Sequence, residues 1–280
     1  MTGRTALGVE RLDEGVREHL DRLGEVFVEI PHHDSGNTSW GVRIGDDRWF
    51  VKYAAQMEGV VWLLTSQRFH AAVQHPAIVP LERLVPVDGA GMAAVYPWVD
   101  GEILNDPFVP GSKPREEEGS AYRRFRSLPI GELLVALDVI FDAHVAVAGA
   151  GFVAVDFYDG CVIYDFESRH LSLVDLDLYW PGPYMLDTGR QYGSTRFMAP
   201  EEFRRGATID ERTTVFTMGR TAFVFLSEDL RGDASRELWR AGDALYEVAH
   251  RATSPDRDKR WESVSEFLDA WRGAVAASGG

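Results

Sequence analysis

Residues 196–203 read RFMAPEEF and close a segment that opens at Asp175. Three short apolar runs of strand length precede that segment or lead into it: FVAV at 152–155, CVIYDF at 161–166 and LSLVDLDLY at 171–179. These runs and the turn between the first two carry the acids that invite a chemical reading, Asp156, Asp159, Asp175 and Asp177. The fourteen letters VAVDFYDGCVIYDF at 153–166 do not settle whether Asp156 is a working carboxylate or a turn residue, so its surroundings have to.

Just upstream, ELLVALDVIFDAHVAV has the 3.6-residue spacing of a buried helix and stops at Gly149-Ala150-Gly151. The front of the chain reads differently. An amphipathic helix is expected over 9–23, then a strand EVFVEI at 25–30 leading into the turn-rich PHHDSGNTS. WGVRIG and RWFVKYA follow as alternating runs joined at Gly45-Asp46-Asp47, a hairpin signal. A helix over roughly 56–73 precedes HPAIVPLERLVPV and GMAAVYPWV, two strand-length runs separated by residues 88–91. Proline, glycine and charge then concentrate at 105–128, and a boundary is expected near residue 96. The fold class expected is therefore α+β, with an antiparallel β-rich unit over 1–95 and a mainly helical unit over 96–280. At the far end Ser263 and Glu266 form a capping box, and Phe267, Leu268, Trp271 and Val275 follow on one face.

The 280 residues are 45% hydrophobic, enough for a substantial core. Lys and Arg total 29 against 44 Asp and Glu, and the net charge of −15 argues against binding nucleic acid or an anionic membrane by bulk electrostatics. The single cysteine, Cys161, excludes an intrachain disulfide and a cysteine-built zinc site. No run of about 18 apolar residues occurs, and the first twenty residues mix acids and bases, so a cytoplasmic location is expected.

Lys52 ending a front strand, HPAIV at 75–79, Asp156 after a β-run, Asp175 ending a later one and MAPEE at 198–202 occur in that order. Together they resemble the protein-kinase-like superfamily across nearly the whole chain, with RFMAPEEF the most specific piece. The resemblance implies a bilobal kinase-like fold and transfer of phosphate from ATP, with Mg2+, to a hydroxyl acceptor. In such transfer the protein positions phosphates, neutralises them and orients the accepting hydroxyl. By resemblance Lys52 holds the α- and β-phosphates, Asp156 accepts the hydroxyl proton and Asp175 binds metal. Asp177, where the family has glycine, is a candidate extra metal ligand. VYPWVDGE at 95–102 resembles the hinge between lobes, which puts the Tyr96 carbonyl and the Trp98 amide against adenine. Glu201 and Arg260 resemble a buried pair that ties the activation segment to the large lobe.

Several positions depart from the family pattern. Cys161 stands where a metal-binding asparagine is expected, and a thiol is a poor ligand for magnesium. Asp159 either replaces that asparagine on metal or forms a turn with Gly160. Ala154 and Val155 replace the family's histidine and arginine, and Thr214 the aspartate that braces that loop. The front loop looks more like that of aminoglycoside-type phosphotransferases, with Ser35, Gly36, Asn37 and Thr38 as candidate phosphate contacts or simply a polar turn. Ser66 falls where the glutamate partner of Lys52 is expected, and Glu58, two helical turns earlier, is the alternative. His32 and His33 read as solvated loop residues, because adjacent side chains point apart.

The resemblance leaves three functional classes open. RFMAPEEF, HPAIV and the length of the segment from Asp175 to Glu201 favour a Ser/Thr protein kinase. The glycine-poor front loop and VDLD favour a small-molecule kinase of the aminoglycoside or homoserine type. Cys161 and Ser66 favour a pseudokinase acting as a binding module.

Overall fold

The computed structural model describes residues 7–31, 36–105 and 107–278, and shows an α+β protein. Helix α1 (Val16–Leu23) precedes strand β1 (Glu25–Ile30), and the hairpin follows as β2 (Thr38–Ile44) and β3 (Asp47–Ala54). Gly45, at φ +64°, takes the left-handed turn between them. Helix α2 (Met57–Ala72) leads to β4 (Arg83–Val87) and β5 (Gly91–Pro97). The five strands form one antiparallel sheet in the order β1-β2-β3-β5-β4.

Strand alternation sorts this sheet into two faces. Val51, Ala93 and Val95 pack with Trp40, Val42, Val85 and Val87 against Val16 and Leu20 of α1 and against Leu12. Ala54 and Ala94, from the opposite face, pack with Leu84, Met92 and Tyr96 against Val60 and Leu63 of α2. Lys52 shares that second face, because it lies between Val51 and Tyr53 and opposite Ala94.

Beyond the sheet come the two-residue strand β6 (Glu102–Ile103), helix α3 (Ala121–Arg126), helix α4 (Ile130–Gly149) and strand β7 (Phe152–Val153). Strands β8 (Val162–Asp165) and β9 (His170–Leu173) then pair antiparallel, with β6 on the outer side of β8. Helices α5 (Glu211–Leu226), α6 (Asp243–Ala252) and α7 (Val264–Ser278) complete the chain. The largest core joins α4 to these three helices, and Phe141, Phe267 and Trp271 are fully buried in it with edge-to-face ring contacts. The Ser263 hydroxyl accepts the Glu266 amide at 3.1 Å, the capping contact expected from the sequence.

Residues 75–79 stitch the sheet's surroundings to this helical body. The Leu173 amide donates to the Ala77 carbonyl and the Val79 amide to the Leu173 carbonyl, at 2.6 and 3.0 Å. No helix among the described residues is long and apolar enough to cross a membrane.

Candidate functional site

A cavity of about 180 Å3 lies between the α2 face of the sheet and the β8–β9 pair. Its walls are mostly apolar: Val28 and Ile30 of β1, Phe50 of β3, Ile163 of β8, and Leu173. Charge gathers at one end, where Lys52, Asp175 and Asp177 line it. Predominantly apolar walls with a few convergent polar groups are the usual character of a small-molecule site.

Strand β3 delivers Lys52 because alternation turns it toward the cavity while its neighbour Val51 faces α1. Its ammonium donates to Asp175 Oδ1 at 2.5 Å and to Asp177 Oδ2 at 2.7 Å. Burial works against its charge, yet Asp175 and Asp177 outweigh it and hold the ammonium well above its usual pKa. Strand β9 ends before the acids, and Asp175 takes a left-handed φ of +57°. That turn ends the extended backbone of the β-run, and both carboxylates reach one lysine. The Asp175 side chain is 47% exposed and that of Asp177 only 8%. Burial raises the Asp177 pKa, but Lys52 and the hydrogen bonds it receives lower it further, so it stays ionised.

Asp156 also has a left-handed backbone, φ +59°, in the loop after β7. Non-glycine residues held there carry strain and cluster at functional sites. Its carboxyl is pushed up to about 7, chiefly by burial and then by the charge of Asp175, with Lys52 opposing. The chain of residues 190–198 packs directly over it: a methyl group on Gly193 would lie 3.6 Å from the Asp156 Cα.

The loop around Asp156 is held by neutral groups. The Thr214 hydroxyl accepts the Ala154 amide at 3.1 Å, so a smaller residue still braces the loop backbone where histidine and arginine are absent. Cys161 is fully buried and its thiol is directed at the Asp156 carbonyl, 3.5 Å away; burial raises its pKa well above the usual value. It is therefore a packing residue and not a metal ligand.

Of the other candidates, Asp159 takes its turn reading with Gly160, and several of the rest meet partners away from the cavity. Asp159 is fully buried in a 3-10 turn and accepts from Arg196 at 3.0 Å, with Arg115 at 3.7 Å, so it anchors the 175–201 segment instead of facing the cavity. Glu58 is exposed and accepts from the Tyr192 hydroxyl at 2.8 Å; it does not meet Lys52. The Trp98 amide donates to the Arg48 carbonyl at 2.9 Å and is consumed by the sheet. Tyr96 contributes its side chain, whose hydroxyl donates to Asp177 at 3.2 Å. Asn37 is buried against the start of α2, where a methyl on Gly59 would meet its Oδ1 at 2.8 Å, so it is packed rather than presented. Gly36 has φ +73° and open space beside it, and Thr38 opens β2 opposite Tyr53. Ser35, with His32 and His33, lies outside the described residues.

The far end of the 175–201 segment is fixed as expected. Glu201 accepts both arms of Arg260 at 2.7 and 2.9 Å, and their side chains are 2% and 0% exposed. Sequence reasoning missed the cavity walls of β1 and the Arg196–Asp159 pair. Alternation in EVFVEI marks Val28 and Ile30 as one face, but no local signal pairs Arg196 with a residue 37 positions away.

The donor set fits a nucleotide better than a metal held by protein alone. Among the described residues no group of three His, Cys, Asp or Glu side chains converges to hold an ion. Magnesium normally takes one or two carboxylates with phosphate oxygens, and Asp175 is the exposed carboxylate at the cavity's charged end. Comparison with protein-family models finds no match, and neither does comparison with curated proteins.

Proposed function

We propose that the chain is an ATP- and Mg2+-dependent phosphotransferase with a bilobal kinase-like fold, acting most naturally on Ser/Thr hydroxyls of a protein. One observation carries this reading. Lys52 and Asp175, distant in sequence, meet at the charged end of an apolar cavity between the sheet and the β8–β9 pair, and Asp156 lies near enough for its carboxyl to feel the charge of both. The small lobe would run to residue 95, and residues 96–280 would form the hinge and the larger lobe.

The apolar walls suit a purine, and the backbone suits its hydrogen-bonding edge. Tyr96 and Trp98 direct their backbone groups at β3, so those of Pro97 and Val99 point the other way, past the end of β4, and both residues line the cavity. Adenine contacts are thus assigned to Pro97 and Val99 in place of Tyr96 and Trp98. Lys52 would neutralise phosphate oxygens. Bound magnesium supplies charge neutralisation on the transferring phosphoryl group, and Asp175 would hold it together with phosphate oxygens. Asp156 would take the acceptor's proton as the new bond from the acceptor oxygen to the terminal phosphorus of ATP forms and the bond from that phosphorus to the departing ADP breaks. A carboxyl titrating near 7 is well matched to that task.

The protein-acceptor reading draws on the 175–201 segment. It is pinned by Asp159–Arg196 and Glu201–Arg260 and exposes Trp180, Met185 and Tyr192, an apolar shelf for a peptide. A second reading, a nucleotide-binding module without transfer, is favoured by the buried thiol of Cys161 and by the packing of Gly193 over Asp156.

Thermal unfolding with and without Mg-ATP tests nucleotide binding, because a ligand of the folded state raises the midpoint. Labelled ATP with a generic protein substrate, and separately with amino alcohols and aminoglycosides, then tests transfer. Asp156→Asn is expected to abolish transfer and keep the midpoint shift. No shift in the native chain would refute the proposal, and transfer confined to small amino alcohols would replace the acceptor class.

A further inference from the structure

We propose that Asp177 is the positioning residue for Lys52, doing from the β9–segment junction what no carboxylate of α2 is placed to do. This rests on the nucleotide reading above for what Lys52 contacts, but not for how Lys52 is held.

The chain has three lysines, 52, 113 and 259. The side chains of Lys113 and Lys259 are 49% and 75% exposed, whereas that of Lys52 is 11% exposed. A buried ammonium needs a partner of opposite charge. Helix α2 packs against the same face of the sheet, and its carboxylate is Glu58, at the exposed end on Tyr192. The α2 residues that face this region are Ser66, fully buried and 3.3 Å from the Tyr96 hydroxyl, and His70, whose ring packs edge-on against the Tyr96 ring at 5.8 Å; neither is a carboxylate.

Asp177 fills the gap from a different direction. One of its oxygens accepts from Lys52 and the other from Tyr96, whose hydroxyl also meets Ser66. Two donors on two oxygens fix the plane of the carboxylate, and burial removes water as a competitor. Asp175 is held differently, by Lys52 at one oxygen, with about half of its side chain in solvent. The two acids therefore divide the work. Asp175 is free to turn from Lys52 to a metal or a phosphate environment, and Asp177 keeps the ammonium in place while it does. The position of Lys52 then depends directly on β5 and the chain after β9, and α2 reaches it only at one remove, through Ser66 on the Tyr96 hydroxyl.

The test needs no nucleotide for its first arm. Native protein is treated with a limiting amine-acylating ester, and labelling of Lys52 is measured by mass spectrometry relative to Lys113 and Lys259 as internal surface references. Asp177→Asn, isosteric and still able to bond Tyr96, is expected to raise relative labelling of Lys52 about tenfold, the scale of a hydrogen bond to a charged group. Asp177→Gly combined with Ser66→Glu returns a carboxylate to Lys52 from α2 and should restore protection. Tyr96→Phe, which loosens Asp177 without removing charge, should raise labelling severalfold and decides the question if Asp177→Asn does not fold.

In the second arm, calorimetry should show Mg-ATP binding about tenfold weaker in Asp177→Asn and recovered in the Ser66→Glu pair. Unchanged Lys52 labelling in both Asp177→Asn and Tyr96→Phe overturns the proposal. So does a variant whose defect is cured by raising Mg2+ while Lys52 stays protected, since that outcome makes Asp177 a metal ligand. If the native chain binds no nucleotide, the function proposed above falls, and the labelling arm still tests Asp177.

Discussion

Removing Arg260 should cost more stability than almost any other single change outside the apolar core. Its guanidinium donates to both oxygens of Glu201, to the Arg212 carbonyl at 3.0 Å and to the Ser254 carbonyl at 2.8 Å, and it stacks 4.8 Å over Phe216. Arg260→Ala leaves the Glu201 carboxylate buried with the Thr213 hydroxyl at 3.0 Å and Arg257 no closer than 4.0 Å. Stranding one member of a buried pair typically costs about 3–5 kcal/mol. Two backbone carbonyls also lose donors, so the upper part of that range is expected. For a chain of this size that range corresponds to a fall in midpoint of about 5–9 °C. Arg260→Lys should recover little, because a single ammonium cannot reproduce the fork that meets both carboxylate oxygens. Glu201→Gln with Arg260→Met should lose less than Arg260→Ala, since removing both charges leaves neither stranded. Urea unfolding of the four proteins at pH 7 measures this directly. A loss below about 1 kcal/mol for Arg260→Ala, the range of a solvent-screened surface pair, would refute the claim that this pair is a buried anchor.

Three further outcomes are expected. Burial, with the charges of Glu201 and Asp156 adding to it, pushes the Glu202 carboxyl up to about 8 in the folded chain. The folded state then holds a proton that the unfolded chain releases near pH 4.3, so stability declines between roughly pH 4.3 and 8, by at most about 1.4 kcal/mol per pH unit from this group. Glu202→Gln still accepts the Ala199 amide and should flatten that decline; an unchanged pH profile of the thermal midpoint would contradict the assignment. Arg196→Ala leaves the fully buried Asp159 with Arg115, 3.7 Å away, as its remaining cationic partner and should destabilise by about 1–3 kcal/mol in urea. Glu58→Ala, by contrast, touches an exposed contact with Tyr192 and should shift stability by no more than about 0.5 kcal/mol and leave Mg-ATP affinity unchanged. A nucleotide-affinity loss as large as that of Asp177→Asn would return Glu58 to the role of Lys52 partner.

Local residue patterns were enough for the order of elements. Alternation in RWFVKYA placed Lys52 on one face of a strand, the 3.6-residue spacing of ELLVALDVIFDAHVAV produced α4, and Gly45 marked the hairpin turn. Ser263 and Glu266 marked the start of α7 in the same way. Glu201 and Arg260 were also legible, because both stand in stretches distinctive enough to be matched without knowing their distance. These features depend on steric and hydrogen-bonding rules that act within a few residues, which a linear chain displays directly.

The tertiary structure decided which partner each charged group takes. VDLD marks Asp175 and Asp177 as candidate metal ligands, but only the left-handed backbone of Asp175 turns the chain so that both close on Lys52. Asp159 was equally plausible as a metal ligand or a turn residue until Arg196 came to meet it in the interior. Trp98 had its amide assigned to a ligand until the register of β3 against β5 committed it to Arg48. A carboxylate, an ammonium or an amide must be satisfied once water is removed, and the groups that satisfy it arrive from positions tens to more than a hundred residues away. That choice exists only when the elements are packed, so no reading of neighbouring letters contains it.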